Sequence, residues 1–250
     1  MFSELLSRSE TDAVARILPV AREGTLPGRL QTTFNQHQRR FQDECIMLLE
    51  GEACESTFYV IDGWLALSKS LEDGRTMIID FALPGDIVDP VSGDGKMSDV
   101  MIEALTAGTV AQMPYSAWHR MVEDWPDLNR FVHSTEAAMR ARWGERMLRL
   151  GKGTAEMRVA YALIELCIRI DSTNDSQVPA FHIPLTQQQL GDYVGLSSVH
   201  VCRTMRRLAR KNILAMEDHM DIRVHDLEAL TDLAGIDYDS LKREIVPSGL

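Results

Sequence analysis

A cluster of basic side chains in the last quarter of the chain has the residue types and spacing best suited to chemistry. The cluster consists of Arg203, Arg206, Arg207, Arg210 and Lys211. Guanidinium groups form paired hydrogen bonds with phosphate oxygens and with the major-groove edge of guanine. The apolar positions of the same segment, Val201, Met205 and Leu208, are spaced four and three residues apart, which predicts an amphipathic helix. Because no acidic residue lies between Ser197 and Lys211, the basic face predicts a surface that binds nucleic acid.

Residues 185–211 predict two short helices that position this basic face. Thr186 followed by Gln189 is a capping-box pattern, which marks the start of a helix. Gly195 ends that helix because glycine enters the left-handed region at little cost, and Ser197 caps the second helix. A helix, a tight turn and a basic second helix form the helix-turn-helix that enters the DNA major groove. The alternative is a basic helix that is only a solvated face, and the capped first helix argues against it.

Both helices contribute to the predicted DNA-contacting residues. We expect the start of the second helix and Arg203 to face base edges or nearby phosphates, and the later basic side chains to bind the phosphate backbone. The predicted contacts are Thr186, Gln187, Ser197, Ser198, Val199, His200, Arg203, Arg206, Arg207 and Lys211. Runs at 213–216 and 220–224, on either side of residues 217–219, predict a two-stranded wing, and residues 178–183 predict a strand before the first helix.

The N-terminal half of the chain has the pattern of a small antiparallel β-structure. Residues 1–29 predict an irregular helical lead-in. Short β-rich runs then follow at 45–49, 57–61, 65–70, 76–81, 101–104 and 109–113. Turn signals such as Asp62-Gly63 and Pro84-Gly85 separate these runs. Regular short strands joined by glycine-containing turns predict a closed antiparallel roll or barrel.

A long helix is predicted between the roll and the helix-turn-helix, from Asp127 to about Leu150. Its apolar residues follow three-and-four spacing, and its length of roughly 35 Å exceeds what a small domain needs internally. We predict that it pairs with its symmetry mate in a homodimer; the alternative is a helix that lies across its own domain. The predicted dimer-interface residues are Leu128, Val132, Met139, Trp143 and Leu150.

The predicted fold class is α+β, in three consecutive parts. Residues 1–126 form a β-roll sensor domain. Residues 127–152 form the dimerisation helix, with a hinge at the glycines of 151–153. Residues 153–250 form a winged helix-turn-helix domain, in which Thr154 caps a helix that runs to Ile170. A polar loop at 172–176 follows, and a helix at 227–234 precedes a polar tail.

The charge distribution permits DNA binding although the chain is acidic overall. The formal net charge is −11, and a uniformly acidic protein repels nucleic acid. Here the acidic residues are concentrated in the first half and the tail, whereas basic residues are concentrated at 140–158 and 203–211. The sequence lacks a run of roughly 18 apolar residues and a secretory signal pattern. We therefore expect a cytoplasmic protein with no contact with a membrane.

The residue types that enzymes and metal centres require are missing or scattered. The sequence contains no Gly-x-Ser-x-Gly, P-loop lysine or His-Glu-x-x-His motif. None of the seven histidines lies between Cys45 and Gln112, which argues against a metal-dependent enzyme built on the roll. The four cysteines form no Cys-x-x-Cys pair, so a zinc ribbon is not expected. We expect no catalytic residues and no metal.

Three segments carry a resemblance to a known family. They are residues 58–63 (FYVIDG), residues 83–87 (LPGDI) and residues 186–208. With the order roll, long helix, glycine hinge and winged helix-turn-helix, the chain resembles the CRP/FNR family of bacterial transcription regulators over residues 34–230. The resemblance implies a homodimer that binds near-palindromic double-stranded DNA and contacts RNA polymerase. It also implies a cyclic-nucleotide-binding-like roll that controls how the two recognition helices are posed.

Two ligand signatures of the family are absent from this sequence. In the cyclic-nucleotide-binding members a Glu and an Arg-Ser pair hold the ligand, and the aligned positions here are Pro90, Ser98 and Asp99. A carboxylate at the phosphate site repels the ligand, and the lost guanidinium removes its strongest hydrogen bonds. Cyclic AMP is therefore not expected. The iron–sulfur members carry an N-terminal cysteine cluster, whereas no cysteine precedes Cys45, so no cofactor is expected.

The predicted recognition helix departs from the family at one base-reading position. Many members carry Glu where Val199 stands, and that Glu accepts a hydrogen bond from a base amino group. Arg203 matches the base-reading Arg of the family, whereas Val199 is suited to contact with a thymine methyl. We predict a DNA target that differs from the usual half-site at the position that Glu reads.

Alternatives to this function stay open. Cys202 is adjacent to Arg203, and nearby guanidinium groups favour an oxidisable thiolate, so a redox-gated regulator is one alternative. A regulator gated by a small molecule in an altered pocket is another. A less favoured alternative is a ligand-binding or protein-interaction module without DNA function.

Overall fold

The computed structural model describes residues 26–91, 96–170, 180–217 and 221–247. The chain divides into two compact units, the first built mainly on residues up to Val132 and the second mainly on residues from His133 onward. The predicted polar loop at 172–176, residues 218–220 of the predicted wing and most of the predicted lead-in lie outside the described residues. Among the described residues, no helix combines the length and apolar character that crossing a membrane requires.

The first unit contains two antiparallel four-stranded sheets preceded by a helix, α1 (Leu26–Gln36). The strands are β1 (Gln38–Phe41), β2 (Ile46–Leu48), β3 (Ser56–Asp62), β4 (Leu65–Ser70), β5 (Thr76–Ala82), β6 (Ile87–Val88), β7 (Met101–Ala104) and β8 (Gly108–Pro114). One sheet has the order β1-β8-β3-β6 and the other β2-β7-β4-β5. The predicted antiparallel fold of this half is confirmed.

Three elements of the first unit were not expected from the sequence. Helix α1 includes Pro27 and Gly28 and extends to Gln36, whereas the sequence predicts only an irregular helical lead-in that ends at residue 29. The helix tolerates Pro27 because the first turn of a helix has no use for the missing N–H group. Strand β1 has three exposed residues of four, and β6 has only two residues, so neither shows the alternation that identifies a strand.

Two apolar clusters fill the first unit. The cluster between the sheets includes Phe41, Phe58, Leu65, Ile102 and Val110, all buried. The other lies against the outer face of β3 and β8, where Phe34 stacks on Tyr59 with ring centroids 4.2 Å apart. This second cluster also buries residues of α2 (Tyr115–Asp124) and the start of α3 (Pro126–Lys152). The long helix is therefore anchored at its N-terminal end by the core of the first unit.

The second unit is mainly helical. It contains the rest of α3, α4 (Ala155–Ile170), β9 (Ala180–His182), α5 (Gln187–Val194), α6 (Ser198–Arg210), β10 (Leu214–Glu217), β11 (Asp221–Val224), α7 (Leu227–Ala234) and α8 (Tyr238–Ile245). Helix α4 is its centre, with every residue from Val159 to Ile168 buried. The wing strands β10 and β11 pair antiparallel, and β9 pairs with β11 to complete a three-stranded sheet. The predicted α+β fold with a C-terminal helix-turn-helix is confirmed.

The predicted polar tail is wrong for most of its length. Helix α8 occupies Tyr238–Ile245 and begins at Asp237, whose carboxylate accepts a hydrogen bond from the backbone N–H of Ser240 at 2.9 Å. Leu241 and Ile245 are 4% and 0% exposed. These two residues, one helical turn apart, bury the inner face of α8 in the second unit.

Candidate DNA interface

The turn between α5 and α6 has the geometry that the sequence predicts. The hydroxyl of Thr186 accepts from the backbone N–H of Gln189 at 3.1 Å, and the Gln189 side chain accepts from the Thr186 N–H at 2.8 Å. Gly195 ends α5 with a φ of +67°, a conformation that favours glycine. A Cβ atom on Gly191 would lie 2.4 Å from the carbonyl oxygen of Leu196. The capping box and the close turn together fix the angle at which α6 follows α5.

Helix α6 is amphipathic, as its sequence predicts. Val201, Met205 and Leu208 are at most 1% exposed and attach the helix to its unit. At its N-terminus the hydroxyl of Ser197 accepts from the backbone N–H of His200 at 3.4 Å, and the same oxygen lies 2.9 Å from Nδ1 of the His200 ring. Ser197 and His200, both predicted to contact DNA, thus also hold the first turn of α6.

The solvent-facing side of α6 carries an evenly spaced row of exposed residues, which we call the outward face. It consists of Val199, Arg203, Arg206 and Arg210. Val199 is 55% exposed, so its methyl groups are accessible to a partner. Nε of Arg210 donates to the backbone carbonyl of Arg206 at 3.4 Å. Arg210 is absent from the predicted contacts, although its spacing of four residues from Arg206 places it on the same face.

Arg207 and Lys211 lie beside the outward face and interact with an acidic residue of α4. Nη1 of Arg207 lies 2.6 Å from Oε1 of Glu156, and Nζ of Lys211 lies 3.4 Å from Oε2 of the same residue. The hydrogen bond from Arg207 holds the pKa of Glu156 below its usual value. Glu156 precedes Arg207 by 51 residues, so the residue pattern around α6 does not reveal this partner. Contact of Arg207 and Lys211 with phosphates stays a prediction.

The remaining predicted contacts lie at the N-terminal ends of α5 and α6. Thr186 is exposed, whereas Gln187 and Ser198 are half-buried. Both helix N-termini carry backbone N–H groups that suit an anionic partner such as a DNA phosphate. The N-terminal residues of α6 therefore lie on the same short helix as Arg203. Thr186 is the N-cap of α5.

Three basic residues of α3, Arg142, Arg146 and Arg149, are buried instead of facing outward. Arg149 donates to the carbonyl oxygens of Ala234 (2.9 Å) and Gly235 (3.2 Å) at the end of α7. The guanidinium carbon of Arg146 lies 4.2 Å from the ring centroid of Tyr193 in α5. These contacts mean that the basic stretch at 140–158 is largely structural and joins the second half of α3 to the DNA-binding unit.

A buried carboxylate connects α3, α4 and α5. Glu165 of α4 is 0% exposed, and its Oε1 accepts a hydrogen bond from the hydroxyl of Tyr193 at 2.7 Å. Nη1 of Arg169 lies 3.7 Å and Nε of Arg142 lies 4.0 Å from that oxygen. A buried charge must be paired to be tolerated, so the position of α5 is tied to α4 and α3.

The predicted dimer-interface residues differ in how exposed they are. Leu128 is 0% exposed and packs in the second apolar cluster of its own unit, so its prediction as an interface residue is wrong. Val132 is partly buried against that cluster, and Met139 and Leu150 are partly buried. Trp143 is 36% exposed. Two neighbours outside the predicted set are more exposed, Met147 at 69% and Leu148 at 57%.

Residues aligned with the nucleotide site of the sensor roll lie close together. The backbone N–H of Asp99 donates to the carbonyl oxygen of Pro90 at 2.9 Å. Ser98 is 2% exposed, and its hydroxyl donates to the carbonyl oxygen of Val100 at 2.6 Å. Burial raises the pKa of the neighbouring Asp89, and the nearby charge of Asp99 adds to this effect. In this region the charges of Asp89 and Asp99 interact, and Ser98 turns its hydroxyl onto its own backbone.

The cysteines differ in their surroundings. Cys54 and Cys167 are buried, Cys45 is partly buried against the cluster between the sheets, and Cys202 is partly exposed on α6. Burial raises the pKa of the Cys54 thiol. Among the described residues, no three His, Cys, Asp or Glu side chains are arranged to hold a metal ion.

Comparison with known protein families gives one match in the helix-turn-helix region and one in the region of the two β-sheets. The Crp-like helix-turn-helix domain family matches residues 157–233, and the cyclic nucleotide-binding domain family matches residues 38–124. The "Nitrogen fixation regulation protein FixK" of Bradyrhizobium diazoefficiens is 31% identical over 171 residues, which is 67% of this chain and 69% of that protein. A "Probable transcriptional activator" of Rhizobium leguminosarum bv. viciae is 29% identical over 219 residues, covering 84% of this chain and 89% of that protein.

Solved structures share the architecture. FixK2 from Bradyrhizobium japonicum aligns with a TM-score of 0.70 and 24% identity, over 80% of this chain and 98% of that chain. A CooA mutant from Carboxydothermus hydrogenoformans aligns with a TM-score of 0.68 and 14% identity, over 86% of this chain and 97% of that chain. At these identities the structural likeness supports the fold.

Proposed function

The chain belongs to the CRP/FNR family of transcription regulators, and from that premise we propose that it binds near-palindromic DNA operators as a homodimer. The chain is a DNA-binding transcription regulator by its family and its Crp-like helix-turn-helix. The observation that carries the proposal is the outward face of α6, on which three arginines and Val199 are exposed together. A face of this kind fits the major groove, where base edges and phosphates are both within reach.

The outward face divides into base-reading and backbone-binding parts. From Val199 to Arg210 the face extends roughly 16 Å along α6. We place the N-terminal part in the groove, because recognition helices contact base edges with their N-terminal residues. Arg203 then reads a guanine through two hydrogen bonds and Val199 contacts a thymine methyl. Arg206 and Arg210 bind phosphates.

A homodimer follows from the exposed apolar residues of α3. Trp143, Met147 and Leu148, which we call the strip, are large apolar side chains exposed within one short stretch of α3, and such a group marks an interaction surface. Pairing α3 with its symmetry mate buries the strip and relates two α6 helices by a two-fold axis. The two half-sites then lie about 34–36 Å apart, one helical turn of DNA.

Hydroxyl-radical footprinting tests this function. The protein is mixed with genomic fragments that shift in a gel, and the protected nucleotides are mapped on both strands. Two protected patches on one face of the duplex, separated by one helical turn, are expected. Protection of a single patch would contradict the dimer, and a lack of shifted fragments would contradict sequence-specific binding by this chain.

RNA polymerase is the second partner that we propose. The two curated relatives described above are named as an activator and a regulation protein, and an activator acts by recruiting or positioning the polymerase. Transcription in vitro from a promoter that carries the mapped operator tests this proposal. A rise in transcript that depends on the operator supports it, and loss of transcript caused by the protein would identify a repressor instead.

The signal that gates this regulator is not cyclic AMP in our proposal. Asp99 aligns with a residue that holds the ligand in cyclic-nucleotide-binding members, and its carboxylate there repels the ligand phosphate. Ser98 bonds its own backbone. Isothermal titration with cyclic AMP is expected to give no heat of binding at millimolar ligand. Saturable binding would contradict the proposal and favour a small-molecule-gated regulator with an altered pocket.

Redox gating through Cys202 is a second candidate for the signal. Its side chain is partly exposed beside Arg203 on the DNA-facing helix. Oxidation to a sulfenic or sulfinic acid adds bulk and charge at that position, which opposes DNA binding. The Cys202→Ser variant is expected to bind DNA and to lose sensitivity to oxidant. Unchanged sensitivity in that variant would remove Cys202 from consideration.

A further inference from the structure

We propose that Glu156 takes the place of a DNA phosphate at one edge of the recognition helix and thereby limits the affinity of the regulator for DNA. The proposal rests on the placement of α6 in the major groove described above. It concerns a residue of α4, outside the helix-turn-helix itself. The observation behind it is that both carboxylate oxygens of Glu156 are engaged by basic residues of α6.

Arg207 and Lys211 lie to one side of the outward face of α6. At 3.6 residues per turn, Arg207 lies about 40° and Lys211 about 80° around the helix from Arg203. A helix in the major groove directs its outward face to the bases and its two sides to the phosphates that line the groove. Arg207 and Lys211 therefore point to one of these phosphate-bearing edges, and Glu156 reaches the same edge from α4.

The negative charge of Glu156 opposes a phosphate at this edge of α6. The Glu156 side chain is 18% exposed, whereas Arg207 and Lys211 are 57% and 48% exposed. An approaching phosphate thus meets a carboxylate that already engages Nη1 of Arg207 and Nζ of Lys211. Glu156 therefore competes with DNA for Arg207, and its negative charge repels a phosphate that approaches the same edge. The lowered pKa of Glu156 shows that this pairing favours the ionised carboxylate.

The other basic residues of α6 provide the contrast. Within the described part of the chain, neither Arg203 nor Arg206 forms an ion pair with a carboxylate. Their charges are available to replace the counterions of DNA, whereas those of Arg207 and Lys211 are partly neutralised beforehand. Glu156 is thus a positioning residue that sets how many phosphate contacts α6 makes.

The dependence of DNA affinity on salt measures this directly. Each phosphate that the protein binds adds about 0.9 to the slope of log affinity against log salt concentration. In Glu156→Gln the carboxylate charge is gone and the side chain keeps its shape. We expect a slope steeper by about one to two. The ratio of affinities at 50 and 200 mM salt then rises roughly threefold to fourfold for each additional phosphate that α6 binds.

A matched control separates this effect from net charge. Glu228 is exposed in the first turn of α7, and Glu228→Gln removes the same charge elsewhere in the same unit. We expect the wild-type slope for that variant. An equal steepening in both variants would mean that net charge alone is responsible, and would overturn the proposal.

Coupling between Glu156 and Arg207 completes the test. Arg207→Gln is measured in the wild-type and in the Glu156→Gln background, and it should reduce the slope more in the second. Equal reductions in the two backgrounds, or an unchanged slope in Glu156→Gln, overturn the role of Glu156. Thermal unfolding of each variant, with Glu156→Ala as a second substitution, establishes that folded protein is compared.

A wrong placement of α6 on DNA gives a different result from a wrong role of Glu156. Arg203→Gln is measured on the same duplexes. If it leaves the affinity for every duplex unchanged, the placement of α6 is wrong and the role of Glu156 is overturned with it. If Arg203→Gln weakens binding while Glu156→Gln has no effect, only the role of Glu156 is overturned.

Discussion

At the scale of single residues, the arginines of α6 differ in what surrounds them. Arg203 and Arg206 lie on the outward face, one turn apart, whereas Arg207 faces Glu156. The sequence predicts the outward face from its spacing, but it assigns Arg206, Arg207 and Lys211 the same role in binding phosphates. The distinction depends on a carboxylate brought from another helix, which spacing within α6 cannot reveal.

Arg203 and Arg206 should give different results when they are removed. Arg203→Ala is expected to cost about 1–3 kcal/mol on the best operator and to relax the preference at one base pair, because it removes a bidentate contact with guanine. Arg206→Ala should weaken all sequences alike and lower the salt slope by about one. Titrations on operators substituted one base pair at a time measure both. A uniform loss for Arg203→Ala would contradict its assignment to a base.

Two buried tyrosines of the second unit provide a matched pair for stability. Tyr193→Phe removes the hydroxyl that donates to the buried Glu165, and leaving a buried charged acceptor short of a donor costs about 1–3 kcal/mol. Tyr161→Phe removes a buried hydroxyl that has no hydrogen-bond partner among the described residues, so its cost should be near zero. Urea unfolding of both variants measures the difference. Equal losses would contradict the proposed role of the Glu165 network.

At the scale of elements, α3 belongs to both units. Its N-terminal end packs Leu128 and Phe131 into the second cluster of the first unit, and its C-terminal half contributes Arg146 and Arg149 to the second unit. The predicted boundaries at 126 and 153 treat α3 as a separate part. The structure instead divides the chain near Val132, because buried arginine contacts attach the rest of α3 to α4, α5 and α7.

Sequence patterns predicted the elements that have strong periodicity or capping residues. Strands β4 and β7 begin and end at the predicted residues, and the capping box of Thr186 is present. Helix α8 has only Leu241 and Ile245 as fully buried positions, so its apolar face is too narrow to stand out. Its N-cap at Asp237 was the available signal. The burial of Arg146 and Arg149 could not be predicted, because charge alone does not distinguish a solvated residue from one that contacts groups distant in the sequence.

Helix α8 is expected to stabilise the second unit although it lies beyond the matched family region, which ends at residue 233. Leu241→Ala should cost about 2–5 kcal/mol, because it removes a buried side chain and leaves a cavity. The exposed Glu244→Ala on the same helix should change stability by no more than about 0.5 kcal/mol. Urea unfolding followed by circular dichroism compares them. Similar small losses for both would show that α8 contributes little.

At the scale of the whole molecule, two-fold symmetry would give a short contact surface its specificity. One outward face spans only a few base pairs. Two copies related by a two-fold axis read a site twice as long, and both must match for tight binding. The exposed strip on α3 is where we place this pairing.

Disruption of the strip should separate the dimer. Leu148→Glu introduces charge at a side chain that is 57% exposed, and we expect half the wild-type mass and a loss of tight binding to two half-sites. Ile46→Glu is the control, because Ile46 is equally exposed on β2 of the first unit. Sedimentation velocity measures the mass. Dissociation by Ile46→Glu alone would place the dimer interface on the roll instead.

Selection of binding sites from random duplex DNA by the purified wild-type protein tests whether a pair of α6 helices recognises DNA. We predict an inverted repeat whose half-sites are centred one helical turn apart. We also predict that each half-site keeps the base pair read by Arg203 and departs from the usual family half-site where Val199 replaces Glu. Recovery of the unchanged family half-site would contradict the role of Val199. Recovery of sequences without two-fold symmetry would contradict recognition of DNA by a pair of α6 helices.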